Sequence, residues 1–157
     1  MSVDVVAQVR TALGLPSAPL VTRGIEMTVL FFSEVLRADP LQWKDYLRGI
    51  DFHSPIQRVV LAPGTRLSRH RSTGAARPKP FLYFTQPGTS PFSTGTSFPE
   101  SVFELFECTS PVSARLSRAS SISFSPTDRV SRIGGGIQYI VPATAIQVLR
   151  QVNAPRR

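Results

Sequence analysis

The residues of this 157-residue chain that could do chemistry lie in three short strings. The first string, residues 66–71, reads Arg-Leu-Ser-Arg-His-Arg and surrounds one imidazole with three arginines. Arginine forks suit bidentate contacts to phosphate, and cationic side chains pair with flat aromatic rings. This string therefore predicts either a site for a pyrophosphate beside a ring, or an ordinary basic strand edge.

The second string, Gln86 to Pro91, is rich in turn-forming residues and carries the hydroxyls of Thr89 and Ser90. Such a turn presents several N–H groups to an anion, although the same composition is normal for any loop.

The third string places three consecutive glycines, Gly134 to Gly136, before a β-prone segment that contains Gln138. A glycine run costs conformational entropy and is useful where the backbone turns sharply or approaches a ligand. The two-residue period of a strand puts Gln138 on the same face as Ile140. The alternative is a glutamine on an edge strand beside a flexible loop.

Several classes of site lose support from the residues that are missing. The two histidines are His53 and His70, and the chain has no G-x-S-x-G, H-E-x-x-H, P-loop or dinucleotide-binding glycine motif. Cys108 is the single cysteine, so no intrachain disulfide can form and C-x-x-C metal or redox sites are absent. We expect no metal and no bound cofactor.

The charge is strongly basic, with 18 lysines and arginines against 10 acidic residues and a formal net charge of +8. Only Lys44 and Lys79 are lysines, so arginine dominates. This balance is compatible with a phosphate-bearing partner or with a solubilising surface. No run of five basic residues marks a nucleic-acid-binding tail.

Helices and strands must position these strings. The length of the chain and the order of its helical and β-prone segments predict one α+β domain over residues 1–157, with helices in residues 1–50 and a β-rich core in residues 51–157. Helical spacing and stop signals predict helices over 3–15 and 25–36, and Asp39-Pro40 opens a third that ends near Gly49. A last short helix should run from Pro142 to Leu149. The predicted strands are 57–61, 65–69, 81–85, 102–108, 114–117, 137–141 and a weaker one at 121–124.

Export and membrane signals are also missing from the sequence. The opening residues do not begin a secretory signal, and the longest apolar window, residues 27–32, is too short to span a bilayer. We therefore expect no membrane insertion, and any export would need a specialised route.

Taken in order, the strings resemble the NAD glycohydrolase toxin family typified by the tuberculosis necrotizing toxin, which includes the NAD-degrading domains of polymorphic toxins and is related to the ADP-ribosyltransferase fold. The resemblance covers residues 51–149. It rests on five matching strings, which are Gly64-Thr65, Arg69-His70, Gly88-Thr89-Ser90-Pro91, Pro111-Val112 and Gly134 to Tyr139.

The resemblance implies a compact, strongly twisted, mainly antiparallel sheet and NAD⁺ or NADP⁺ as the substrate. It implies that Arg69 binds the pyrophosphate, that Gln138 is the catalytic glutamine near the nicotinamide ribose, and that His70 stands where an aromatic residue stacks on nicotinamide. The remaining dinucleotide contacts that it implies are Tyr83, Phe84, Thr85, Gly88, Thr89, Ser90, Gly135 and Gly136.

A glutamine at position 138 favours hydrolysis over transfer, because ADP-ribosyltransferases place a glutamate on the comparable strand. Transfer to a protein or RNA remains the alternative, with Glu104 and Glu107 as carboxylates that either take part or simply face solvent. A basic module that binds nucleic acid is a third and less favoured interpretation.

The resemblance further implies a toxin that leaves its producer by a specialised, signal-peptide-independent secretion system on a carrier. It would act in the cytoplasm of a target cell, and a cognate immunity protein would protect the producer.

Overall fold

Two helices precede the sheet in the computed structural model, which describes residues 3–36, 47–72, 81–89, 101–120, 122–123, 131–132 and 134–153. Helix α1 spans Val3–Ala12 and ends before Gly14, whose φ of 66° suits a glycine. Helix α2 spans Pro19–Leu36 and begins six residues before the predicted start. The early start fits a proline in the first turn, where its missing N–H has no intrahelical acceptor.

The third predicted helix lies mostly outside the described residues, because residues 37–46 are not among them. Its described end is the helical residue Leu47, followed by a turn at Arg48 and Gly49. Leu47 is fully buried, and this segment packs with α1 and α2.

The strands confirm the α+β class, and every described strand pairing is antiparallel. Seven strands form one sheet in the order β1-β5-β8-β3-β2-β4-β9, and β6 pairs with β7 separately. The strands are β1 (Gln57–Leu61), β2 (Arg66–Ser72), β3 (Phe81–Thr85), β4 (Ser101–Cys108), β5 (Val112–Arg118), β6 (Ile122–Ser123), β7 (Ser131–Arg132), β8 (Ile137–Pro142) and β9 (Leu149–Gln151).

The large sheet curls back on itself. Strands β1 and β2 are first and fifth in the sheet, yet only residues 62–65 connect them. That link spans about 17 Å at most, whereas four flat strand spacings need about 19 Å. The link also closes onto β4, since Gly64 donates to the Cys108 carbonyl at 2.7 Å. The curl is therefore required by the connection.

The curl gives the sheet two different faces with separate cores. On the helix face, Phe81 and Ile140 pack with α1, α2 and residues 47–56. On the inner face, a second cluster includes Phe84 from β3 and, from the two edge strands, Leu61 and Leu149. Cross-strand partners share a face, so the register assigns each strand residue to one of them.

Two predictions about the ends of elements are wrong. Strand β2 continues past Arg69 to Ser72, so Arg69 and His70 lie inside a strand and not at its end. The predicted last helix is a 3₁₀ helix, Ala143–Val148, and Leu149 instead begins β9 by pairing with Cys108. Pairing with β4 and burial on the inner face outweigh the helical pattern there.

No helix within the described ranges is both long and apolar enough to cross a membrane.

Candidate active site

Four polar side chains form a row across four neighbouring strands on the helix face. The register pairs Ser117 of β5 with Gln138 of β8, Gln138 with Thr85 of β3, and Thr85 with Ser68 of β2. Three of them are nearly inaccessible, at 2% for Ser117 and 3% for Gln138 and Ser68. Polar groups buried side by side in a sheet are costly unless they have partners, so this row is the first candidate for a site.

Gln138 is held at one end of its carboxamide only. Its Nε2 donates to the carbonyl oxygen of Gly49 at 3.0 Å, in the turn after Leu47. No donor from the described part of the chain bonds its Oε1. Strand β8 lies between β5 and β3 in the sheet interior, so the edge-strand alternative for this glutamine is wrong. The amide is fixed by its nitrogen, and its oxygen is an acceptor without a donor among the described residues.

The hydroxyls of the row differ in their partners. Ser68 and Thr85 bond each other through their hydroxyl oxygens at 3.0 Å, and Thr85 also donates to the Ser68 carbonyl at 3.2 Å. The Ser117 hydroxyl is buried and has no hydrogen-bond partner in the described structure. The polar row is thus satisfied at its β2 end and unsatisfied beside Gln138.

Two glycine turns lie at the end of the sheet where the row is placed. Gly134 and Gly135, with φ of 80° and 83°, lead directly into β8. Gly88, with φ of 89°, lies in the turn after β3, where Thr89 donates to the Gln86 carbonyl at 3.1 Å. A Cβ atom added at Gly88 or Gly135 would have no neighbouring atom within 4 Å, so the space on the side-chain side of both glycines is open.

The implied dinucleotide contacts on these turns, Gly88, Thr89, Gly135 and Gly136, therefore lie at the same end of the sheet as Gln138. The remaining one, Ser90, lies outside the described residues.

The sheet also opens between β2 and β3. Hydrogen-bonded pairing between these strands is confined to Ser68 and Thr85. Beyond that pair, His70 and Tyr83 flank the opening on the helix face, and both are partly exposed. The His70 ring lies 5.3 Å from the Phe103 ring, and Phe103 is 45% exposed. His70, Tyr83, Thr85 and Gln138 therefore share one face.

Arg69 and Phe84 lie on the opposite, inner face. The Arg69 Nε donates to Oε1 of Glu104 at 2.9 Å, and its guanidinium carbon lies 5.3 Å from the centroids of both the Phe84 and Phe106 rings. The structure does not bring Arg69 together with Gln138. Glu104 is 7% exposed, so the interpretation of this residue as a solvent-facing carboxylate is wrong.

A cavity of about 530 Å³ adjoins the glycine end of the row. Its walls come from the end of α1, from residues 47–53, and from Ser120 and Gly135. The backbone of Gly49, which holds Gln138, runs between two of the lining residues, Arg48 and Ile50. The volume is within the range of small-molecule sites, which measure roughly 300–1,000 Å³.

The fold of this chain has a counterpart among solved structures. No protein-family model and no curated protein matches the chain in sequence. Among solved structures, Tse6 in complex with Tsi6 matches with a TM-score of 0.68 and 21% identity, covering 88% of this chain and 99% of that one. This chain has the fold of Tse6. Rhs1-CT in complex with its cognate immunity protein RhsI1 matches with a TM-score of 0.43 and 18% identity, over 66% and 82% of the two chains.

Sequence reasoning missed three residues of the site in this Tse6 fold, namely Gly49, Ser68 and Ser117. Ser68 and Ser117 each stand between a leucine and an arginine in their strands, a local pattern that does not distinguish a buried serine from an exposed one. Their alignment with Gln138 depends on pairing between distant strands, which the sequence pattern does not reveal.

Metal ligands do not cluster in the described part of the chain, where no group of three or more His, Cys, Asp or Glu residues is close enough to hold an ion. Burial, and secondly the negative charge of Glu107, raise the pKa of the Cys108 thiol. Cys108 lies on the inner face, so it does not belong to the polar row.

Proposed function

We propose that this chain is an NAD(P)⁺ glycohydrolase that acts as a toxin by cleaving the bond between nicotinamide and ribose. The observation that carries the proposal is the carboxamide of Gln138. It is buried mid-sheet and anchored through Nε2 to Gly49, no donor among the described residues bonds its Oε1, and two glycine turns lie at the same end of the sheet. This arrangement is suited to a neutral, oriented acceptor at a small-molecule site.

The chemistry needs little more than positioning. Departure of nicotinamide leaves positive charge on the ribose, and nicotinamide takes the electron pair of the broken bond. Water then adds to the ribose carbon, loses a proton to solvent, and ADP-ribose results. The Oε1 of Gln138 can orient that water or a ribose hydroxyl by accepting a hydrogen bond, and a fixed acceptor costs little reorganisation during the reaction.

The Ser68–Thr85 pair supports the proposal from the neighbouring strands, because its hydroxyls lock the two strands at the point where they diverge. Beyond this pair, His70 of β2 and Tyr83 of β3 lie on the two sides of the opening between the strands, so that each side carries one aromatic side chain. Aromatic side chains in such a place suit a flat nicotinamide ring.

The toxin role is supported by the fold that this chain shares with Tse6, whose structure was determined in complex with Tsi6. On this proposal the substrate pool is that of a target cell, reached through a specialised secretion system and a carrier. A producing cell would need a cognate immunity protein, because the dinucleotide substrate is present in every cell.

Transfer of ADP-ribose to a macromolecule is the second candidate. Its support is weaker, because Glu104 lies on the inner face in an ion pair with Arg69, and Glu107 bonds Arg150. Neither carboxylate belongs to the polar row that contains Gln138. Binding of nucleic acid by the basic surface is the third candidate and requires no bond cleavage.

The test is release of nicotinamide from NAD⁺ and from NADP⁺ by the purified chain with no acceptor present. Gln138→Ala should reduce turnover by about 100-fold or more, as loss of a positioned transition-state contact does. Gln57→Ala is the matched control, because Gln57 is an exposed glutamine on edge strand β1. It should retain full turnover.

Two results would contradict hydrolysis. If the wild-type chain releases no nicotinamide alone but labels a cell lysate from radioactive NAD⁺, the activity is transfer. If neither reaction occurs and the chain binds RNA or DNA with a steep salt dependence, the chain is a binding module.

A further inference from the structure

We infer that Arg66, and not Arg69, is the arginine that binds the pyrophosphate of the dinucleotide. This inference rests on the proposed function, since it names the phosphate contact of the same site. It departs from the residue that the family resemblance implies.

Arg69 is already engaged by the protein. Its Nε donates to Glu104, and its guanidinium carbon lies 5.3 Å from the centroids of both the Phe84 and Phe106 rings. Its side chain is 20% exposed. A phosphate that approached this guanidinium would compete with an adjacent carboxylate for the same donors, and it would do so on the face of the sheet opposite to Gln138.

Arg66 has the properties that Arg69 lacks. It is exposed and lies on the helix face, two residues before Ser68 on β2. Its guanidinium has no ion-pair partner in the described structure. The carboxylate directly across from it, Glu107 of β4, is bonded by Arg150. Two arginines around one carboxylate leave one positive charge available for an anion.

The position of Arg66 fits a ligand that also reaches Gln138. Arg66 lies two residues before Ser68 on β2, and because β2 and β3 are antiparallel it is at the end of the sheet where the open turn at Gly88 follows Thr85. Arg66 and Gln138 are separated by two strand spacings and two residues along the strands, which gives about 12 Å between their Cα atoms. Both side chains project to the same face, so a pyrophosphate and the attached ribose can lie between their tips.

The experiment measures ADP-ribose binding by isothermal titration calorimetry, beside steady-state kinetics of nicotinamide release. ADP-ribose contains the pyrophosphate and has no bond to nicotinamide, so its binding is independent of catalysis. The variants are Arg66→Ala, Arg66→Lys and Arg69→Ala. The matched control is Arg58→Ala, because Arg58 is also an exposed arginine and its register partner Arg115 places it on the same sheet face.

We expect Arg66→Ala to weaken ADP-ribose binding and to raise KM by about tenfold or more, the loss expected for a charge-assisted hydrogen bond, with kcat little changed. Arg66→Lys should recover part of the affinity, because it keeps the charge but loses the bidentate fork. Arg58→Ala should bind as the wild type does.

The inference is overturned if Arg66→Ala binds ADP-ribose like the wild type, or if the wild-type chain does not bind it at all. It is also overturned if Arg69→Ala loses binding while its Tm is unchanged. If binding depends on Arg66 but no nicotinamide is released, the phosphate site stands and the glycohydrolase proposal fails.

Discussion

The ion pair between Arg69 and Glu104 joins β2 to β4 on the enclosed face of the sheet, with a 2.9 Å contact from Nε to Oε1. Both side chains are mostly buried, at 20% and 10% exposed, and the guanidinium lies against the neighbouring rings of Phe84 and Phe106. Glu104 directly opposes Arg69 in the register. The pair is therefore part of the inner core, where removal of one partner of an ion pair is strongly destabilising.

We expect Arg69→Ala to lower the free energy of unfolding by about 3 kcal/mol, the cost of removing one partner from a mostly buried ion pair. Arg150→Ala is the control, since Arg150 is 66% exposed in its ion pair with Glu107. That change should cost less than about 1 kcal/mol. Urea denaturation of both variants measures the difference. Equal losses in the free energy of unfolding would show that the buried ion pair stabilises the fold no more than the exposed one.

The elements of this fold could be predicted well where local pattern decides them. Strands 57–61 and 81–85 have the predicted limits, because each is a short β-prone run between turn residues. Strand β9 was missed, because Leu149 joins the sheet by pairing with β4, forty residues earlier in the chain.

The same distinction between local pattern and long-range pairing applies to the candidate site. Gln138 is a candidate from a local string, the glycine run before a strand, together with the family resemblance that this string supports. The face on which Arg69 lies depends on the register of β2 within the sheet, and one residue of shift would have exchanged Arg69 with Ser68. The sequence string alone therefore could not distinguish a ligand-binding arginine from one that stabilises the inner core.

The two buried serines of the polar row should respond differently to the same substitution. Ser117→Ala removes a hydroxyl that has no partner among the described residues, so the free energy of unfolding should stay unchanged or rise by about 1 kcal/mol. Ser68→Ala breaks the bond to Thr85 and should lower it by about 1 kcal/mol. Thermal denaturation of the two variants side by side measures the contrast. A clear loss of stability in Ser117→Ala would mean that its hydroxyl has a partner in solution.

Cys108 should react slowly with thiol reagents in the folded chain. Burial and the charge of Glu107 raise its pKa, so the folded thiol holds its proton more tightly than the unfolded one. Alkylation near neutral pH should be at least about tenfold slower than in denaturing urea. Equal rates in the folded and unfolded chain would contradict this expectation.

The raised pKa of Cys108 also has a consequence for stability. Because the folded state binds the proton more tightly, the stabilisation is complete below the unfolded pKa and is lost as pH rises through the higher folded pKa. The free energy of unfolding should therefore fall more steeply at alkaline pH in the wild type than in Cys108→Ala, as urea titrations at several pH values would show.

Gln138→Glu should show whether position 138 needs the amide N–H donor, because glutamate keeps the acceptor oxygen and loses that donor. An ionised carboxylate cannot donate to the Gly49 carbonyl as Nε2 does, and it would be buried without a described cation in the polar row. Both effects favour the protonated acid and raise the pKa of the new side chain. The folded variant then binds more protons than the unfolded chain, so its stability should decrease as pH rises from about 5 to 8 relative to the wild type.

Urea denaturation across this range measures the slope, with Gln57→Glu as the exposed control. A flat difference between variant and wild type would mean that position 138 is open to water, and that its carboxamide is not fixed by Gly49.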